Sequence, residues 1–380
     1  MTLYPPQGFQ IEARNKGWSS DQIKNALAYI QKLEAQKLPV IFSLKHLTLY
    51  TGISYKFARK IISRRTRPYK IFQMEKRAGG KRNISIPEPT LASLQRWITR
   101  NISYRIKTHP ASHAYNLGDN IAKCAAAHCP TQWLIKIDIQ QFFESISEIK
   151  VYHVFRNLGY ARLLSLEMAR LCTMVVERNP ENARRWNVSN FSYATIENYR
   201  ATRLGSLPQG APSSPMLSNL VCLKLDEQLQ ELANKQGMVY TRYADDMAFS
   251  SSDKNFGREK ASKVIREVYS ILLQNGFRPK VTKTHLIPPG FRKIVLGLNV
   301  DRDRPYLSKE LRATIQNHFY AIAKHGFAEV SNHYTFSNPL SFYNHLEGLV
   351  RFAHSVQPEF AQKYSDELKK INVKELVGIT

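Results

Sequence analysis

The stretch YADDMAFS, Tyr243 to Ser250, sets two adjacent carboxylates among apolar residues that otherwise read as a strand. Side chains alternate faces along a strand, so Asp245 and Asp246 cannot both point one way in a regular one. A turn is implied. MVYTRY from Met238 and MAFS from Met247 become the two arms of a hairpin with the aspartates at its tip. Taken alone, such a pair reads as a solvated Asp-rich turn, and the rest of the chain has to decide otherwise.

Upstream, TQWLIKIDI is a strongly patterned strand. Ile135, Ile137 and Ile139 share one face, while Leu134, Lys136 and Asp138 share the other, which leaves a carboxylate at its carboxyl end. Two helical stretches follow (EIKVYHVFRNLG and ARLLSLEMARLCTMVVE), then an irregular polar segment over 179–203. PSSPMLSNLVCLKLDEQLQELANKQG reads as one helix opened by Ser213, Ser214 and Pro215 and closed by Gly237. After the hairpin come a helix, GREKASKVIREVYSILLQNG, and a strand around VTKTHLI. This order is that of a split βαβ or ferredoxin-like unit, an α+β arrangement that would set Asp138 beside the hairpin tip.

The 380 residues carry a formal charge of +25, with 43% hydrophobic content and a pI near 9.9. Such a chain folds, and its charge favours a polyanion, nucleic acid before a membrane surface. No apolar run approaches the eighteen or so residues of a spanning helix, and MTLYPPQGFQIEARNKGW lacks signal-peptide order. A cytoplasmic protein with no membrane partner is expected. Cys124, Cys129, Cys172 and Cys222 form no CxxC pair and read as reduced packing residues.

Ser19 with Gln22 resembles a capping box ahead of Ile23, Leu27, Ile30 and Leu33 at helical spacing. SLKHLTLYTG and ISYKFARKIISR meet at Gly52 in a pair that imitates a DNA-reading helix-turn-helix without further support. From Lys56 to Arg82 eleven basic residues face a single acid, Glu75. Tyr55, Phe57, Tyr69 and Phe72 are interleaved, a composition suited to phosphate contact with stacking. Within it KRAGGKRNISIP reads as a hairpin turning at Gly79-Gly80, carrying Arg77, Lys81 and Arg82 on a mobile flap. Beyond Gly297 lies a basic helical appendage with a Leu311, Ile315, Phe319, Ile322 stripe.

Three carboxylates at one sheet edge need positive charge to offset their repulsion, and two divalent cations would supply it. Asp138 and Asp245 would bridge, Asp246 would be a weaker third ligand, and hard oxygen donors with substrate phosphates favour Mg²⁺. LPQGAPSSP, Leu207 to Pro215, adds a fixed turn, the amide of Gln209 and a Ser-rich helix start able to bind phosphate.

At this point the chain resembles the reverse transcriptases. IKIDIQQFF, LPQGAPSSPMLSNL, YADD, GFRPKVTKTHL and VLGLNV occur in the order of that family's palm motifs, and KRAGGKRNISIP with LASLQRWI resembles its fingers. The resemblance implies a right-hand polymerase with Mg²⁺ at its centre: an N-terminal helical region (1–54), fingers (55–130), palm (131–304) and a basic helical thumb (305–380). It further implies that Phe143 is the aromatic gate against a ribose 2′-hydroxyl and that Ala244 lines the primer terminus. Lys81 and Arg82 would hold the incoming triphosphate, with Gln209 on its sugar side and Lys283 close by.

Within the family the chain looks like the retron enzymes. CAAAH (Cys124 to His128) keeps the Ala and His of a usual Asn-Ala-x-x-His element, and Val295-Leu296-Gly297 replaces a usual Val-Thr-Gly. His128, Arg77 and Arg312 become candidate RNA contacts, with a core role for His128 as the alternative. The retron resemblance implies a structured noncoding RNA as template and primer, a single-stranded DNA product made from dNTPs, and a separate effector protein in phage defence. Host RNase H becomes a plausible requirement. Intron-type and diversity-generating enzymes, and an RNA-binding scaffold or antitoxin on the same fold, are the alternatives.

Overall fold

The computed structural model describes residues 6–75, 79–175, 204–334, 336 and 338–371. Arg77 and the 179–203 segment lie outside them. The centre is a four-stranded antiparallel sheet of β3 (Trp133–Asp138), β4 (Val239–Tyr243), β5 (Asp246–Ser251) and β6 (His285–Ile287), in the order β4-β5-β3-β6. The register pairs Ile135 with Phe249, Ile137 with Met247 and Asp138 with Asp246.

Alternation assigns each face of this sheet to a different core. Ile135, Ile137, Tyr240, Met247 and Phe249 pack on Leu217 of helix Ser214–Val221, Leu225 and Leu229 of helix Leu223–Lys235, and Val264 and Val268 of helix Arg258–Gln274. Leu134 and Ala248, on the opposite face, join a second cluster with Val295, Leu298, Phe342 and Leu346 of the C-terminal region. The carboxylates emerge at the sheet end where this second face leaves that core.

Residues before 55 share the first core with the palm. Leu33, Ile41 and Leu47 are fully buried in it, and the Tyr160 hydroxyl donates to the Pro39 carbonyl at 3.0 Å. Helix Ser20–Ala35 opens with the expected capping box, Ser19 and Gln22 exchanging both bonds. The helix pair meeting at Gly52 buries Leu44, Leu47, Ala58 and Ile61, so its apolar faces serve the core.

The fingers ribbon joins β1 (Tyr69–Glu75) to β2 (Lys81–Pro87), with Gly79 and Gly80 at φ +82° and +83°. Residues 70–75 and 81–83 are exposed, so this part of the ribbon has no core behind either face.

Two expected elements differ. The long helix through Cys222 is two helices, because the Cys222 amide is shared between the Ser218 and Asn219 carbonyls and tightens the turn there. Only His285–Ile287 of VTKTHLI is strand. Val281–Lys283 winds into one 3₁₀ turn after the Lys280 amide bonds the Asp138 carbonyl at 2.7 Å.

The C-terminal region is helical as read: Lys309–His325, Phe327–His333, Pro339–Val356 and Pro358–Lys369, with Ile315 and Phe319 buried. All four cysteines are free. Cys124, Cys172 and Cys222 are buried and Cys129 is half-buried. Burial pushes the thiols up, to about 11 for Cys124, Cys129 and Cys222 and about 12 for Cys172. No described helix is long and apolar enough to cross a membrane.

Candidate active site

Tyr243 pairs with Asp246 across a two-residue turn made of Ala244 and Asp245. Ala244 has φ +57°, and a positive φ at the first central residue alone is the signature of a II′ hairpin turn, where glycine is the usual occupant. A side chain there is strained. The turn is tied to the end of β3 by the Ile139 amide, which donates to the Asp245 carbonyl at 3.0 Å. Backbone register and this bond bring Asp138, Asp245 and Asp246 to one end of the sheet.

Their electrostatics follow from that crowding. Burial, then the charges of Asp246 and Asp138, push the Asp245 carboxyl up to about 6. Asp246 is also raised, chiefly by burial, against the pull of Lys136. Lys283 supplies the counter-charge, its Nζ lying 2.5 Å from Asp138 Oδ2, and that bond raises the lysine in turn. The 3₁₀ turn that displaces the expected strand is what carries Lys283 to this position.

Among the described residues no three His, Cys, Asp or Glu side chains close around one point. The donor chemistry nevertheless fits a hard divalent cation: oxygen-only ligands, crowded enough to disfavour their own charge, with one amine in place as neutraliser. Asp138 and Asp245 are the residues that could hold it.

Around this centre the structure brings together some of the anticipated side chains. Phe143 is half-buried, its ring 5.4 Å from Phe142 and 6.4 Å from Tyr115 between centroids. Gln209 precedes Gly210 (φ +114°), and its carbonyl accepts from the Ser85 amide of β2 at 2.7 Å. A Cβ on Gly210 would sit 3.1 Å from both Ile84 Cγ2 and the Ser85 carbonyl oxygen, so glycine lets the ribbon seat on this turn. Arg82 lies close enough to Tyr115 to oppose the burial that pushes that phenol up to about 12.

Others are placed differently. Lys81 pairs with Glu75 and Arg82 with Met74. As strand neighbours the two cations project from opposite faces of the ribbon, so they do not form one clamp. His128 is 2% exposed, and its two ring nitrogens lie 2.7 Å from Ser250 Oγ and Thr241 Oγ1. This is the core alternative: both ring nitrogens are engaged inside the fold and neither is open to RNA. Burial lowers this imidazole to about 4, keeping it neutral. Arg312 lies over the Phe360 ring at 4.6 Å, on the C-terminal helices. The Ser-rich helix start is closed: Ser213 and Ser214 are buried and the Ser214 hydroxyl donates to the Pro208 carbonyl, so no open phosphate cradle exists there.

Sequence reasoning missed Arg242 and Tyr115. Arg242 is fully buried and ion-paired to Asp226, with Nη2 to Oδ2 at 2.6 Å and Nε to Oδ1 at 2.7 Å. The signal was present: Arg242 has the same strand parity as core-facing Tyr240, and Asp226 interrupts the stripe of Leu225 and Leu229.

Comparison with known proteins fits this geometry. Residues 74–300 match the family described as reverse transcriptase (RNA-dependent DNA polymerase). The Retron Ec86 reverse transcriptase of Escherichia coli is 29% identical over 89% of this chain and 92% of its own length. The Retron Mx162 reverse transcriptase of Myxococcus xanthus is 30% identical over 79% of this chain and 64% of its own length. The Retron Ec83 reverse transcriptase of Escherichia coli is 24% identical over 83% and 91%. With carboxylates from β3 and the β4–β5 turn at one sheet end, and the family match spanning fingers ribbon and palm, the chain belongs to the reverse transcriptases, RNA-directed DNA polymerases, and within them its similarity is to the retron enzymes.

Proposed function

We propose that this polymerase copies part of a structured noncoding RNA into single-stranded DNA, starting from a 2′-hydroxyl of that RNA, as one component of a phage-defence system with a separate effector protein. The observation that carries the reading is similarity to a retron reverse transcriptase along 92% of that enzyme's length. A charge of +25 supports a tightly held RNA. Host RNase H would clear the copied template.

In this reading a primer hydroxyl oxygen attacks the α-phosphorus of a deoxynucleoside triphosphate. The bond to the bridging oxygen breaks, pyrophosphate leaves and the hydroxyl proton is lost. Two Mg²⁺ ions held by Asp138 and Asp245 would supply a lowered hydroxyl pKa and neutralise developing charge. Asp246 stands behind them as the weaker ligand. Lys283 balances the carboxylates before substrate arrives, and Arg82 reaches the triphosphate from the ribbon. Gln209 bonds the sugar side, and the Phe143 ring crowds a 2′-hydroxyl on the incoming nucleotide. Lys81, Arg77 and Arg312 are left for RNA phosphates.

Expression with native flanking DNA tests the proposal. The purified protein should carry its own RNA joined to a DNA of defined length, which after RNase digestion keeps a short ribonucleotide adduct removable by a debranching enzyme. DNA with free 5′ ends, or synthesis only on an added primer, would assign the chain to another kind of reverse transcriptase. RNA without DNA, despite metal and nucleotides, would overturn the polymerase role in the cell.

A further inference from the structure

Arg242 has five N–H donors and the structure gives each an acceptor. Two go to Asp226; Nη2 also reaches Ser112 Oγ at 3.2 Å, and Nη1 reaches both Asn219 Oδ1 and the Ala244 carbonyl at 3.2 Å. The guanidinium and its carboxylate partner are both fully buried. A buried pair of this kind does not by itself argue for stability, since well-packed apolar residues of similar volume hold a core as well or better. Its use has to be sought in what the spare donors hold.

They hold two strained backbones beside the chemistry. The Ala244 carbonyl belongs to the residue at φ +57° immediately before Asp245. On the other side Tyr115 has φ +67° and its ring meets Phe143. The segment leading to Tyr115 is fastened at Arg242 by two backbone bonds and the side-chain bond to Ser112, and once more through Asn219. Arg242 N donates to the Ala111 carbonyl at 2.7 Å, and His113 N donates to the Arg242 carbonyl at 2.9 Å. Asn219, itself an acceptor for Arg242, donates to the Ala114 carbonyl at 2.7 Å. Residues in such sparsely populated conformations persist only where the surroundings over-determine them.

We infer that Arg242 is a positioning residue that sets the Asp245 turn and the Tyr115–Phe143 ring pair from one buried hub, coupling metal-ligand placement to sugar selection. The inference rests on the assignment of Asp245 and Phe143 proposed above. No other side chain could replace it: lysine offers a point charge without the planar fork that serves five acceptors at once.

The test separates placement from stability. Arg242→Met with Asp226→Leu and Tyr240→Phe, the last because the Tyr240 hydroxyl also donates to Asp226, exchanges the buried polar cluster for apolar side chains. It should melt within a few degrees of the parent. Single-nucleotide incorporation at saturating nucleotide should nevertheless fall about 100-fold, the scale of a misplacement near 1 Å. The Mg²⁺ concentration for half-maximal rate should rise severalfold and preference for deoxynucleotides should loosen, while affinity for RNA stays unchanged. A stable triple variant with the parent's rate and sugar preference would overturn the inference. If the triple variant does not fold, Asn219→Ala decides, since it removes the bonds from Arg242 and to the Ala114 carbonyl on the Tyr115 side while the Arg242 bond to the Ala244 carbonyl stays. Loosened sugar preference is expected, and an unchanged preference would overturn the hub. Asp245→Ala, run alongside, keeps the two readings apart: if it stays active, the site assignment itself is at fault.

Discussion

The palm sheet and the fingers ribbon are built in opposite physical regimes. In the palm every strand has a core behind it, and Asp138 sits at the end of a strand whose apolar residues are almost wholly buried. In the ribbon, strand residues 70–75 and 81–83 are exposed on both faces. Groups that must hold charge at fixed separations therefore lie on an over-determined frame. The groups proposed to meet an arriving nucleotide lie on a two-stranded ribbon, which is marginally stable on its own and is seated by the Ser85–Gln209 backbone bond.

The largest expected effect falls on the palm. Asp138→Ala or Asp245→Ala should reduce DNA synthesis by a factor on the order of 1,000 or more, with RNA affinity retained because the basic surface is elsewhere. Primer-extension rates and filter binding check this. Near-parental synthesis by either variant would remove the fixed frame from the comparison.

Next comes the packing contrast. Phe249→Ala, in the palm core, should cost about 3–5 kcal/mol, whereas Phe72→Ser on the ribbon should cost about 0.5 kcal/mol or less. Denaturant midpoints of the two variants measure the difference, and comparable losses would mean that the ribbon has a core of its own.

The ribbon's opposite faces give a sharper test. Arg82→Ala should raise the nucleotide concentration for half-maximal rate roughly tenfold, the worth of a charge-assisted bond of about 1.4 kcal/mol. Lys81→Ala should leave that value nearly unchanged and weaken RNA binding instead. Equal nucleotide effects would mean that both cations turn to one side when substrate binds.

The smallest effect concerns pH. The Asp245 carboxyl is raised to about 6 in the folded chain, so the fold binds its proton more tightly than the unfolded chain, and stability falls as pH rises toward 6. Above that the deficit is complete. In EDTA at pH 8, Asp245→Asn should therefore melt a few degrees higher than the parent, an advantage that shrinks as pH is lowered below about 6. A constant difference from pH 8 to pH 4.5 would mean that the carboxylate crowding is absent in solution.

Much of the palm was legible because its signals are local. The doubled aspartate forces a turn, and the isoleucine alternation of β3 fixes which face carries Asp138. The capping box at Ser19 needs only four residues. What escaped depends on partners distant in sequence. His128 and Arg242 are polar residues whose burial is decided by Thr241, Ser250 and Asp226 across the fold. The 3₁₀ turn at Lys283 follows from a backbone bond to Asp138, 142 positions away from Lys280, which no local pattern encodes. The opposite facing of Lys81 and Arg82 was readable from alternation but was masked by treating the basic run as a single patch.

The thiols described with the fold have a practical consequence for watching this enzyme move. Three are enclosed, the fourth is half-covered, and all hold their protons well above neutral pH, so maleimide dyes, which attack thiolates, find few targets on the native chain. A cysteine introduced at exposed Asn83 on the ribbon and another at exposed Lys324 on the C-terminal helices would then be the fast-reacting pair. Fluorescence transfer between them would report whether the separation of the ribbon and the C-terminal helices changes during a single round of DNA synthesis, with the four native cysteines left in place.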